Sequence, residues 1–159
     1  MSSEMMQMFS VMDGLFNFRP SVRPVPVDVH IQGFPGQHYC PRMALMNKPA
    51  FKAIISYSPL KPVLVFVASR RQTRLTAMAF ISHLVAESDP RQWLHIDMAE
   101  LEVLLQSVKD ENLKLTLPFG IGMHHAGLTP HERAIVEQVD VLQMMGRAGR
   151  PQYDTSAVA

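Results

Sequence analysis

Val63-Leu64-Val65-Phe66-Val67-Ala68-Ser69-Arg70-Arg71 is the stretch on which the fold turns. Five consecutive β-formers, preceded by the breakers Pro59 and Pro62, predict a strand covered on both faces, as in a parallel sheet. Ser69 stands next as a helix N-cap. From Arg70 to Glu87, the residues Leu75, Met78, Ile81, Leu84 and Val85 recur at three- and four-residue steps, the stripe of an amphipathic helix lying on that sheet. Strand followed by helix is a βα unit, and the chain reads as an α/β domain with a parallel sheet and flanking helices.

Upstream, a helix is expected near Ala44 to Ser56. Before it, Pro20, Pro24, Pro26, Pro35 and Pro41 exclude a helix across Arg19 to Pro41. Within that span Val25, Val27, Val29 and Ile31 alternate with Pro26, Asp28 and His30, the pattern of a half-buried edge strand that tolerates a proline. Downstream, Asp97 and Glu100 form a carboxylate variant of the capping box ahead of Leu101, Leu104, Leu105 and Val108. Phe119-Gly120-Ile121-Gly122-Met123-His124 predicts a second buried strand, and Thr129-Pro130-His131-Glu132 an N-cap, a proline at N1 and a glutamate at N3. A last short helix is expected from Val141 to Arg147, ended by Gly149 and Pro151.

The 159 residues suffice for one ordinary domain. Fifteen Lys and Arg against fourteen Asp and Glu leave a net charge of +1, so no broad basic field grips nucleic acid, and any phosphate contact must come from a local cluster. The lone Cys40 cannot form an intramolecular disulfide, which points to a reducing nucleus or cytosol. Met1 to Met12 lacks the cationic start and apolar run of a signal peptide. The longest apolar run, Val63 to Ala68, is far below the roughly 20 residues that span a bilayer, so no membrane partner is expected.

Chemistry concentrates in three motifs. The first is Gln143-Met144-Met145-Gly146-Arg147-Ala148-Gly149-Arg150-Pro151-Gln152-Tyr153-Asp154. Arginines three apart on a helix share one face, and an arginine reaching a γ-phosphoryl group stabilises transition-state charge. The plainer reading of G-R-A-G-R alone is a generic Gly/Arg turn. The second is Val63 to Arg71, where a hydroxyl and backbone N–H groups at a helix start suit a phosphate; its plainer reading is an ordinary cap followed by solvated arginines. The third, Gly122-Met123-His124-His125-Ala126-Gly127-Leu128, invites a metal reading, but no second pair of ligands stands at the needed spacing, so no metal is expected. A buried, hydrogen-bonded histidine pair is its plainer reading.

Together these strings resemble the second RecA-like lobe of DExH-box superfamily 2 helicases. The resemblance implies that Gln143, Arg147 and Arg150 face ATP bound on another lobe, as catalytic and cofactor-binding residues, with Mg²⁺ and ATP held only by a complete two-lobe cassette. It also implies that Ser69, Arg70, His124, His125 and Gly127 contact single-stranded nucleic acid. Ala68 stands where relatives often carry Ser, so one expected hydroxyl is missing. R-P-S-V-R-P-V-P-V-D-V-H-I-Q-G-F-P-G, within Gly14 to Met46, resembles the junction between the lobes in one helicase subfamily, which implies subunits of a cointegrator complex as partners. The expected organisation is an unmatched segment over 1–13, a linker with edge strand and first helix over 14–62, and a truncated helicase C-terminal domain over 63–159.

Two absences qualify this picture. No G-x-x-x-x-G-K-[ST] phosphate loop and no D-E-x-H box occur in the sequence, so the first lobe is missing as a partner. The helix starting at Thr129 also runs from Val136-Glu137-Gln138 straight into Val139-Asp140-Val141, where such helicases place two strands and motif V. That amounts to several dozen residues, and losing interior strands would leave polar edges and apolar faces exposed. Alternative splicing or a gene-model error accounts for this better than a new fold. The expected function is a fragment of an ATP-dependent 3′→5′ helicase, inactive alone; the alternatives are a non-catalytic interaction module of a cointegrator complex and an unstable truncated isoform. Purified chain should therefore hydrolyse no ATP above buffer, with or without single-stranded nucleic acid. Multiple turnovers that survive rigorous purification would contradict this.

Overall fold

Local capping chemistry sets where the helices begin. The computed structural model describes residues 19–22, 24–59, 61–87, 89–138 and 157–158. Helix α1, Tyr39–Tyr57, starts five residues earlier than the sequence pattern suggested. Pro41 permits this because it lies in the first turn, where its missing N–H would have had no intrahelical partner. Pro49 is tolerated inside the same helix. The helix ends at Ser58, whose N–H donates to the Ile54 carbonyl at 2.9 Å, just before Pro59.

Helix α2, Arg70–Ala86, is capped by Ser69, whose Oγ accepts from the Gln72 N–H at 3.2 Å. Its buried face is not the expected stripe. Gln72, Thr76, Ala77, Phe80 and Leu84 are buried, while Leu75 is 46% and Val85 60% exposed. The reason is that α2 packs along α1 rather than on a sheet. Phe51 of α1 lies 6.1 Å from Phe80 and 5.3 Å from Trp93, ring centre to ring centre. The Thr76 hydroxyl donates to Asn47 Oδ1 at 3.2 Å and accepts from Gln72 Nε2 at 3.0 Å. Polar residues on the buried face are thus satisfied by one another.

Helix α3, Met98–Ser107, begins as expected at Asp97, whose carboxylate accepts from the Ala99 N–H at 2.9 Å; Leu101 and then Val108 carry its anchorage to the core. A helix the sequence pattern did not signal follows. This is α4, Glu111–Thr116, capped by Asp110 Oδ1 through the N–H groups of Asn112 and Leu113 at 2.9 and 3.0 Å. It runs into a 3-10 turn, Leu117–Phe119, closed by Gly120 at φ +71°. A Cβ at Gly120 would collide with the Trp93 main chain, so glycine is required by both conformation and space. Helix α5, Pro130–Gln138, completes the set. The apolar core joins Phe51, Phe80, Leu84, Leu101, Leu113, Leu117, Met123, Ile135 and Val136.

The two predicted interior strands are not strands here. Residues 62–67 and 121–125 carry no regular structure, and no main-chain hydrogen bond joins residues 62–68 to any other described residue. A parallel strand exists only through neighbours that accept and donate along its length, so β-forming side chains alone cannot produce one. The parallel sheet among the described residues is reduced to β1, Val27–Asp28, paired with β2, Ala157–Val158. The edge strand expected across Val25 to Ile31 is thus two residues long: Val25 is buried, but Val29 and Ile31 are exposed. The described parts of 30–148 form one compact unit, and those of 1–29 and 149–159 another. The helix expected from Val141 to Arg147 lies outside the described residues. No described helix is long and apolar enough to cross a membrane.

Candidate functional site

Glu132, at the third position of α5, organises the loops that carry the candidate residues. It is 2% exposed, and both carboxylate oxygens are fully engaged. Its Oε2 accepts from the N–H and hydroxyl of Thr129, each at 2.8 Å, while the Glu132 N–H donates back to Thr129 Oγ1 at 3.2 Å. This is the reciprocal capping box read from T-P-H-E. The other oxygen does something no local pattern signalled: Oε1 accepts from the N–H groups of Lys109 and Asp110 at 2.9 and 2.8 Å. Backbone N–H groups aimed at the ionised carboxylate, those of Thr129 first, outweigh burial and hold its pKa down at about 2.

Fixing the main chain at 109–110 fixes Asp110. One of its oxygens caps α4; the other, Oδ2, lies 3.8 Å from His125 Nε2. The His125 side chain is only 9% exposed, and its Nδ1 accepts from the Gly127 N–H at 3.2 Å. An accepting Nδ1 places the proton of the neutral ring on Nε2, facing the carboxylate. Burial, then the Arg70 guanidinium, lower the His125 pKa below its ordinary value against the opposing pull of Asp110. The ring is therefore neutral near pH 7.

Arg70, the first residue of α2, reaches this loop from the other side. A Cβ on Gly127 would lie 2.7 Å from the centre of the Arg70 guanidinium and 2.8 Å from both of its terminal nitrogens. Glycine at 127 thus makes room for the guanidinium to lie against the loop. Arg70 itself is exposed, as are Arg71 and Arg74, the latter one helical turn along the same face. The geometry therefore unites Arg70, His125 and Gly127 in one place, with Ser69 holding the helix start beneath Arg70 and His124 exposed beside the ring. Gln143, Arg147 and Arg150 lie outside the described residues. Asp110 and the second grip of Glu132 were missed by sequence reading. The Asp110-Glu111 pair carries the same acid-rich helix-start signature as Asp97, whereas the contact across 23 residues leaves no local trace.

Comparison with known proteins bears on what such a site serves. No family model matches the chain. Activating signal cointegrator 1 complex subunit 3 of Homo sapiens is 53% identical over 193 residues, which takes in 92% of this chain and 9% of that protein. The DExH-box ATP-dependent RNA helicase DExH14 of Arabidopsis thaliana is 45% identical over 188 residues, covering 89% of this chain and 9% of its own length. The chain is homologous to one segment of a DExH-box helicase. Homology to these helicases implies a RecA-like α/β fold for the matched segment, against which the described residues are mainly helical. The chain spans about a tenth of the length of these relatives. Since 92% of 159 residues is about 146, an alignment over 193 residues means that the human relative carries roughly 47 residues with no counterpart here. That matches in size the several dozen residues that the sequence reading found missing.

The depressed pKa of Glu132 gives a pH-dependent stability whose sign is fixed. A carboxyl near its usual 4.5 when unfolded and at about 2 when folded contributes stability fully present above pH 4.5 and lost as pH falls toward 2. Thermal melting followed by circular dichroism should show that loss in the parent chain. Glu132→Gln, which sets an amide against four donors, should be less stable near neutral pH by on the order of 2 kcal/mol and should lose less of its remaining stability over the same pH window. Melting temperatures of the two chains that run parallel from pH 7 to 2 would contradict this assignment.

Proposed function

We propose that this chain supplies the strand-contacting half of a helicase lobe and binds single-stranded nucleic acid without turning over ATP. The observation that carries the reading is the seating of the Arg70 guanidinium on Gly127, in the loop whose conformation His125 and Asp110 maintain. An arginine held by a glycine-containing loop at a helix start presents a fixed cation to a phosphodiester. The neutral His125 ring adds no competing charge but keeps the loop in shape. Ser69 serves by starting α2, since its hydroxyl is already engaged with the Gln72 N–H, and His124 stands exposed where a strand would pass.

In this reading Gln143, Arg147 and Arg150 belong to a nucleotide-facing surface that works only against a first lobe carrying the phosphate loop. There Arg150 or Arg147 would reach the γ-phosphoryl group, with ATP and Mg²⁺ held mainly by the other lobe. The human relative is named as a subunit of an activating signal cointegrator 1 complex, and subunits of such a complex are the protein partners we assign to this chain. Unwinding in the 3′→5′ direction would be the activity of the complete cassette. The nucleus and cytosol are the compartments that fit the lone cysteine.

Binding of a fluorescent single-stranded oligonucleotide, followed by anisotropy across a salt series, tests the reading. Arg70→Ala should weaken binding and lower the slope of log affinity against log salt by about 0.7, the value of one phosphate contact on a single strand. Gly127→Ala, which displaces the guanidinium without removing its charge, should also weaken binding, with the helical content unchanged. An Arg70→Ala chain with the parent affinity and slope would remove Arg70 from the interface.

A further inference from the structure

An apolar groove of about 280 Å³, lined by neither Arg70 nor Gly127, is left unexplained by the site described above. Two stretches of chain line it, residues 61–67 and 120–124, together with Ile54 of α1 and Thr73, Thr76, Ala77 and Phe80 of α2. Val63 to Val67 are all apolar, yet Phe66 is 81% exposed, which removes a large aromatic surface from any core among the described residues. No main-chain hydrogen bond joins residues 62–68, or 122–124, to another described residue. Main-chain donors and acceptors left open along an extended apolar stretch form a template for an added strand.

We propose that this groove takes up an extended, apolar, uncharged polypeptide segment in trans, which pairs its main chain with residues 63–67 and 122–124 as an added strand. The chemistry of the occupant follows from the lining. Apolar side chains dominate it, among them Val63 to Val67, Phe80 and Met123. No acidic residue among the described residues lines it to hold a cation, so an apolar segment free of Lys and Arg is what it selects. The relatives carry roughly 47 residues that this chain lacks within the matched stretch, ample for strands of about five or six residues. Main-chain pairing would supply affinity and the apolar trough would choose the side chains, as in other strand additions. Neither Arg70 nor Gly127 lines the groove and only His124 belongs to both surfaces, so loss of oligonucleotide binding in Arg70→Ala and loss of peptide binding in Phe66→Asp tell the two readings apart.

Trp93 makes the proposal directly measurable. It is the only tryptophan, it lines the groove, and its buried indole N–H has no acceptor among the described residues. Synthetic peptides of about eight residues, tiling the roughly 47 residues present only in the human relative, are titrated into the full chain while tryptophan emission is followed. One tile should produce a saturable shift with affinity on the order of 10 μM and add strand signal in the infrared amide band. The same tile N-methylated at alternate amides should bind at least about tenfold more weakly, because it cannot donate to the open segments. Phe66→Asp, outside the core, should weaken binding by about tenfold while leaving the far-ultraviolet circular dichroism intact. Three results would overturn the proposal. No tile changes the emission up to about 1 mM; the methylated tile binds as well as its parent; or the emission shifts with protein concentration alone alongside dimerisation, in which case a second copy fills the groove.

Discussion

A single buried carboxylate holds together the loops around the candidate site. Glu132 accepts four hydrogen bonds from two segments, the start of its own helix and the main chain at 109–110, which is 22 to 23 residues away. Burying a charge is costly unless every lone pair direction is used, and here the donors are short and mostly backbone. That arrangement sets the position of Asp110, which starts α4 and faces His125, and His125 in turn shapes the loop on which Arg70 rests. The site is thus built from capping interactions that have been extended beyond their own helices.

Those capping interactions are also the part of the fold that was legible in the sequence. Ser69, Asp97 and Thr129 act within three residues of themselves, so the residue type and spacing suffice to place the helix starts. Arg70, His125 and Gly127, singled out from separate motifs, do come together in space. What failed to follow were features that depend on a partner far along the chain. Val63 to Val67 has every local preference for a strand, and the helix after it has a stripe suited to a sheet. With no neighbouring strand described beside 62–67, α2 instead turns Phe80 and Leu84 toward Phe51 and Leu101, leaving Leu75 and Val85 in solvent. Asp110 and the far side of Glu132 escaped for the same reason, because a hydrogen bond across more than 20 residues has no periodicity to read.

The described residues therefore combine a densely hydrogen-bonded region with one whose main chain is open. Around Glu132 both carboxylate oxygens are paired, and Leu113 of α4 and Ile135 and Val136 of α5 are buried. Along 62–67 and 122–124 the backbone stands open beside an apolar groove among the described residues. The helicase segment to which this chain is homologous runs about 47 residues longer in the human relative. The contacts that organise the loop close within residues 69–132, whereas those that would organise a sheet require strands from elsewhere.

Amide hydrogen exchange in Glu132→Gln tests the central claim most directly, because it reads the loop and the clamp separately. The account predicts that exchange at Lys109, Asp110 and Thr129 speeds up, as each loses its carboxylate acceptor, and that the Gly127 amide follows although it does not touch Glu132. Protection in α2, whose cap at Ser69 is independent, should be retained. If Gly127 keeps its parent protection while 109, 110 and 129 lose theirs, the loop that seats Arg70 is held by something other than this carboxylate, and the account is wrong.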